Sequence, residues 1–244
     1  MKHTPLSLIS ALLILCLPLS AQAIYRPVEA TARPDTVAVH VAAIQARGDA
    51  NITARTTSLS GLKTKIAAAK RLSASQKASL TTEIEAQITG LTALKASLDA
   101  DTTVETARTD FQKIFSQHFI YAFYVPRVNR IIAADEQVQA AAVLTTLTPK
   151  LQTYITTAKT AGTDVTSLQV KLDEMLAKTA EAKTLAQGVI NTLTPLTAAG
   201  YPDNKSTVEA SATSLRTARA DLKTSRDDAH SIVTALRKAL NTVQ

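Results

Sequence analysis

Asp227, Asp228 and His230 are the nearest approach to a ligand cluster in this chain, and they offer fewer donors than a structural or catalytic metal needs. Beyond residue 23 the other histidines are His40 and His118, and neither stands in an H-x-x-x-H or E-x-x-H frame. The Glu-x-x-His pairs with which facing helices hold two irons are therefore missing, and Asp227 to His230 reads as a charged helix face. Nucleophilic catalysis lacks a G-x-S-x-G turn. The six glycines, at 48, 61, 90, 162, 188 and 200, are each isolated, so no glycine-rich loop cradles a phosphate. The sequence nominates no catalytic, cofactor-binding or metal-binding residue, and no enzyme activity is expected.

Recognition is the chemistry that the residue pattern favours. All four phenylalanines, Phe111, Phe115, Phe119 and Phe123, stand four residues apart, with Tyr121 and Tyr124 among them just before Pro126, in a chain without tryptophan. On a continuous helix each step of four advances about 40° beyond a full turn. The row therefore winds about a third of the way round instead of forming a narrow stripe. Gln112, Lys113, Ser116 and Gln117 face away from its first half, and residues 119–125 carry no charge. Two readings follow: a core helix at the junction of two bundles, or an exposed patch for a partner, with Phe115, Phe119, Tyr121, Phe123 and Tyr124 as the candidate partner-binding residues. His118, lying among phenylalanines, is expected to pack.

The elements that must position this row read as helices. Six glycines and eight prolines in 244 residues are too few to punctuate a sheet protein, while Ala, Leu, Lys, Glu and Gln recur throughout. The expected fold is all-α, an elongated antiparallel, coiled-coil-like bundle of five to six long helices. The first helix follows Pro34 with Asp35 as its N-cap, carries Val37, Val41, Ile44, Leu59, Leu62 and Ile66, and ends near Arg71. Ser73-Ala74-Ser75-Gln76 is a capping box launching a helix that buries Leu80, Ile84, Leu91, Leu94 and Leu98. Thr102-Thr103-Val104-Glu105 reads as a second one, ahead of the aromatic helix. Pro126 kinks that helix or opens the next, which runs over 127–160 with Leu144, Leu147, Leu151 and Tyr154 on one face and a bend at Pro149.

After a turn at 161–164, two segments show sustained heptad seams. One runs Val165, Leu168, Leu172, Met175, Thr179, Ala182, Ala186, Val189, Leu193 and Leu196; the other runs Val208, Leu215, Ala218, Leu222, Ala229, Ile232, Leu236 and Val243. Residues 143–149 and 189–195 are similar heptapeptides ending in proline, a faint internal repeat. The expected division is a leader at 1–23, an extended segment at 24–34, an N-terminal bundle at 35–125 and a C-terminal bundle at 126–244.

Lys2, the apolar run from Leu6 to Leu19 and Ala21-Gln22-Ala23 have the form of a secretory signal peptide with its cleavage site. Export is the expectation, to the periplasm, the cell surface or beyond, with an uncleaved N-terminal membrane anchor as the alternative. Cleavage would remove Cys16, the sole cysteine, and leave a mature chain without thiol or disulfide. The formal charge of +7, or +6 without Lys2, favours an anionic envelope polymer or a membrane surface as a partner. Without a recognisable binding module, nucleic acid is not expected.

The stretches Leu72-Ser73-Ala74-Ser75-Gln76-Lys77 and Ile88-Thr89-Gly90-Leu91-Thr92-Ala93-Leu94-Lys95, then Asp99-Ala100-Asp101-Thr102 and the Tyr121 to Pro126 spacing, resemble exported helical proteins of unknown function from bacteria with reduced genomes. The resemblance implies an extracytoplasmic all-helical protein and supplies no site. Leu72-Ser73-Ala74-Ser75-Gln76 is also similar to the L-T-x-x-Q motif of Spy- and CpxP-type periplasmic chaperones, with serine for threonine. That similarity implies a basic helical surface that binds unfolded envelope proteins. The functional expectation is an exported binding or structural protein that acts on a protein partner, by self-association or on an envelope polymer. The alternatives are a holdase chaperone and a hydrolase with an unrecognised site.

Overall fold

The computed structural model describes the backbone of residues 34–241 and the side chains of residues 36–239; the expected leader at 1–23 and the residues at 24–33 lie outside the described residues. The elements are α1 (Pro34–Ala68), α2 (Ala74–Ala100), α3 (Val104–Ser116), a π turn (Ile120–Tyr124), α4 (Val125–Thr160), α5 (Thr166–Leu193), a 3-10 turn (Ala198–Gly200) and α6 (Lys205–Asn241). The fold is an all-α bundle. Among the described residues there is no strand, and no helix is long and apolar enough to cross a membrane.

Local signals set most boundaries. α1 begins at Pro34, one residue ahead of the expected Asp35 cap, because proline is pre-set for the first helical position and has no N–H to leave unpaired. It ends at Ala68 instead of Arg71. The Ser73 hydroxyl accepts from the N–H of Gln76 while the Gln76 side chain accepts from the N–H of Ser73, completing the expected capping box of α2. At α3 the cap lies one residue later than expected. Thr103 accepts from the N–H of Thr106, which leaves Glu105 in the first turn beside the positive end of the helix dipole.

α4 continues through Pro149. The missing hydrogen bond and the ring clash cost about 3 kcal/mol in a helix interior, offset here by a buried face that runs on through Leu151, Ile155 and Ala158. The similar heptapeptide at 189–195 behaves differently, since α5 has ended at Leu193 before its proline arrives. The expected α4 face is also corrected. Leu144 and Leu151 are buried, whereas Leu147 and Tyr154 are exposed.

Ion pairs establish the helix directions. Lys63 with Glu85 and Lys95 with Asp49 make α1 and α2 antiparallel; Lys171 with Asp228 and Lys178 with Asp221 do the same for α5 and α6. The seams expected on α5 and α6 are buried from Val165 to Leu193 and from Val208 to Leu236, although Leu196 and Leu222 are only partly covered and Val243 lies outside the described residues. One core joins α1, α2, the end of α3, the π turn, the first half of α4, the end of α5 and the start of α6. A second joins the later half of α4 to the start of α5 and the end of α6. The first core crosses residue 126, with Phe123 and Tyr124 before it and Val128 and Ile131 after it.

One buried polar group ties the α1–α2 loop into the first core. The buried carboxylate of Asp135 accepts from the backbone N–H groups of Lys70, Arg71 and Leu72 at 2.6 to 2.8 Å, tying the α1–α2 loop to α4. Asp135→Asn replaces one acceptor oxygen by an NH2 facing those donors. It is expected to lower unfolding free energy by about 2 kcal/mol, measurable by urea denaturation. Gly48 lets α1 approach α2 closely, since a Cβ there would stand 2.1 Å from Cδ2 of the buried Leu98.

Candidate functional site: an arginine clasped between aromatic rings

The aromatic row does not lie on one helix. α3 stops at Ser116, Phe119 adopts a left-handed conformation (φ 39°, ψ 32°), and the π turn carries the chain into α4, with Pro126 in its first turn. A left-handed non-glycine residue is strained. Here the strain is held by tertiary contact, because the Phe119 ring packs on Tyr201 with centroids 4.9 Å apart.

This break sends the row in two directions. Phe123 is fully buried, edge-on to Tyr124 at 5.2 Å and within 6.4 Å of Tyr201. Tyr124 is buried too, and burial, aided by the Glu83 carboxylate, pushes its phenol above the usual range. Phe119 is half-buried. Phe115 and Tyr121, in contrast, are 46% and 48% exposed. Of the five candidate partner-binding residues, these two are at the surface, and the structure brings them together around a residue of α1 that apolar spacing alone does not single out.

That residue is Arg55. Its guanidinium carbon lies 4.6 Å from the centroid of the Phe115 ring and 5.1 Å from that of Tyr121, so the cation sits between two negative ring faces. Asn51, one turn earlier, accepts from Arg55 Nη1 at 2.9 Å and donates to the Arg47 carbonyl. The Tyr121 hydroxyl meets Ser58 Oγ at 3.2 Å. Arg47 repeats the motif one level down, 5.6 Å from the Phe111 ring, which in turn packs on Phe115 at 5.4 Å. Arg55 is itself only 7% exposed. Burial pulls its guanidinium below the ordinary value, and the aromatic edges remain as the presented surface.

No protein-family profile, curated protein or solved structure matches the chain.

His118 sits beside the clasp as a half-buried packing residue. Its Nδ1 is 3.0 Å from Gln87 Oε1, and its ring lies against Gly90, where a Cβ would come within 2.8 Å of Cε1. Burial, then the Arg55 cation, lowers its pKa from 6.5. A lowered folded-state value means that the unfolded chain takes up this proton first. The stability tied to neutral His118 is thus complete above pH 6.5 and falls as the pH drops through the lowered folded value. Urea midpoints measured from pH 7.5 to 5 should decline, and His118→Gln should flatten that decline.

A second guanidinium marks the buried half of the row. Arg127 has no exposed surface; it donates to Glu83 Oε2 at 2.6 Å, to the Leu193 carbonyl at 2.8 Å and to the Thr194 carbonyl at 2.6 Å, under the Phe123 ring. It fastens α2, α4 and the end of α5. Neither guanidinium stands with a nucleophile and base, and among the described residues no group of three or more His, Cys, Asp or Glu side chains could hold a metal. What the arrangement provides is an exposed aromatic surface packed over a buried cation. Arg55 was detectable in principle as a charge on the apolar face between Ile52 and Leu59, a position that calls for a specific partner.

Proposed function

We propose that this is an exported helical protein of the cell envelope or extracellular space that works by binding a protein partner, with Phe115 and Tyr121 as its contact residues. The observation that carries the proposal is the exposure of two large rings packed over one buried cation. Such rings give up little conformational entropy on binding, and aromatic anchors of this kind dominate interface energetics. The neighbouring π turn and strained Phe119 support it, since both features concentrate at functional sites.

The test is in-cell crosslinking and capture with the full chain, beside a Phe115→Ser, Tyr121→Ser variant. Both side chains being half exposed, the unfolding free energy should fall by only about 1 to 1.5 kcal/mol for each. The dominant crosslinked partner should be lost. Retention of the same partner by the variant would refute the assignment. If instead the parent chain suppresses aggregation of an unrelated unfolded protein and the variant does not, the patch is a chaperone's client surface.

A further inference from the structure

α6 sorts its charges by side. Asp221 and Asp228 are buried and turned toward α5, where Lys178 and Lys171 approach them at 3.3 and 3.2 Å. Arg216, Arg219, Lys223 and Arg226, spaced by three and four residues, line instead a groove of about 780 Å³ against α4, whose wall offers Val143 and Leu144 and no carboxylate. Among the described residues, Arg216 bonds only within its own helix, to the Ala212 carbonyl and Thr213. Arg219 makes no ion pair or hydrogen bond among the described residues. Asp227 is the acid that approaches this row, 2.7 Å from Lys223 and 3.5 Å from Arg226. Four cations against one carboxylate thus follow the groove for about 15 Å, at 1.5 Å of rise per residue.

The groove begins where an established interface stops. The α1–α2 loop is seated on Asp135, and Arg71 Nε donates to Gln139 at 2.6 Å. One turn farther along that side of α4, Val143 is 49% exposed, and Leu147 beyond it is also open. α4 and α6 run side by side in the same direction here, Gln137 donating to the Leu215 carbonyl and Leu144 sharing a core with Leu222.

We propose that this groove receives an acidic amphipathic helix of a partner protein, laid along α4 and α6 as a fourth helix on α4, α5 and α6. Its apolar side would rest on the exposed Val143, with the buried Leu144 beneath it, and its carboxylates would meet the row from Arg216 to Arg226. The charge pattern selects this occupant. A single lipid headgroup or fatty acid carries its charge at one end and leaves most of the row unanswered, whereas acids repeating along a helix match cations repeating along α6. A flat membrane surface would meet the cations but not the apolar floor between the two helices. The basic balance of the chain disfavours a second copy of itself.

The test is fluorescence anisotropy with the full chain and a fluorescein-labelled peptide of about 18 residues, some 27 Å as a helix, carrying leucine at heptad positions a and d and glutamate at e and g. Saturable binding that weakens with salt is expected. Arg219→Gln with Lys223→Gln should weaken it about tenfold or more, as should glutamine for glutamate in the peptide. Val143→Asp should abolish it without changing thermal unfolding, because the side chain is half exposed. Phe115→Ser with Tyr121→Ser should leave it unchanged, which separates this groove from the aromatic clasp.

Absence of saturable binding, or binding indifferent to the α6 variant, overturns the proposal. So does capture by phosphatidylglycerol vesicles that depends on these residues when the peptide is not bound. A dimer of the full chain that the α6 variant dissociates would assign the groove to a second copy and overturn it equally.

Discussion

Arg127→Ala is expected to lower the unfolding free energy by about 3 kcal/mol, enough to unfold a marginal domain, because it removes a fully buried cation that pairs with the partly exposed Glu83 and donates to two carbonyls. The size follows from what is left behind. Glu83 loses its countercharge, and the carbonyls of Leu193 and Thr194 lose the donors that end α5. Arg127→Lys keeps the charge and should still cost about 2 kcal/mol, since an ammonium cannot present a planar fork to a carboxylate and two carbonyls together. Urea denaturation followed by circular dichroism measures both. If the lysine variant were as stable as the parent, charge alone would suffice and the fork geometry would be irrelevant.

Phe123→Ala is expected to cost about 3 to 5 kcal/mol, the range for deleting a fully buried aromatic ring. The ring touches Tyr124, Tyr201 and the Arg127 guanidinium together, so its loss opens the contact between the π turn, α4 and the loop before α6. Phe115→Ala, in the same row, should cost about 1 kcal/mol, because its ring is half exposed and contributes mainly its stacking on Arg55. The contrast tests the split of the row. Equal losses at 115 and 123 would mean that both rings are buried in solution.

Spacing made the α5 and α6 seams and the buried side of α2 legible, because a helix repeats its face every three or four residues and apolar side chains reveal which face is covered. The Ser73 cap was legible for a local reason, since both of its hydrogen bonds join residues three apart. The break at 117–119 was not. Phenylalanines four apart continue smoothly across it, and the left-handed turn at Phe119 is held by Tyr201, far along the chain. The same limit hid the pairings that matter most to the fold. Arg127 and Glu83 are 44 residues apart, and Asp135 is more than 60 from the N–H groups it binds, so composition shows the charges without showing their partners. At the site, the aromatic residues were visible in the sequence, but their sorting was not. A continuous helix would have spread them around one axis, whereas the π turn buries Phe123 and Tyr124 and leaves Phe115 and Tyr121 to close over Arg55.

Partner contact through Phe115 and Tyr121 is the proposed means by which this protein works. Its most direct test places a benzoylphenylalanine photocrosslinker at position 121 of the full chain in living cells, with a control at the exposed Lys183 on α5. One dominant crosslinked product is expected from position 121, absent from position 183 and lost when Phe115 is also changed to serine. No product at 121, or the same products from both positions, would contradict it.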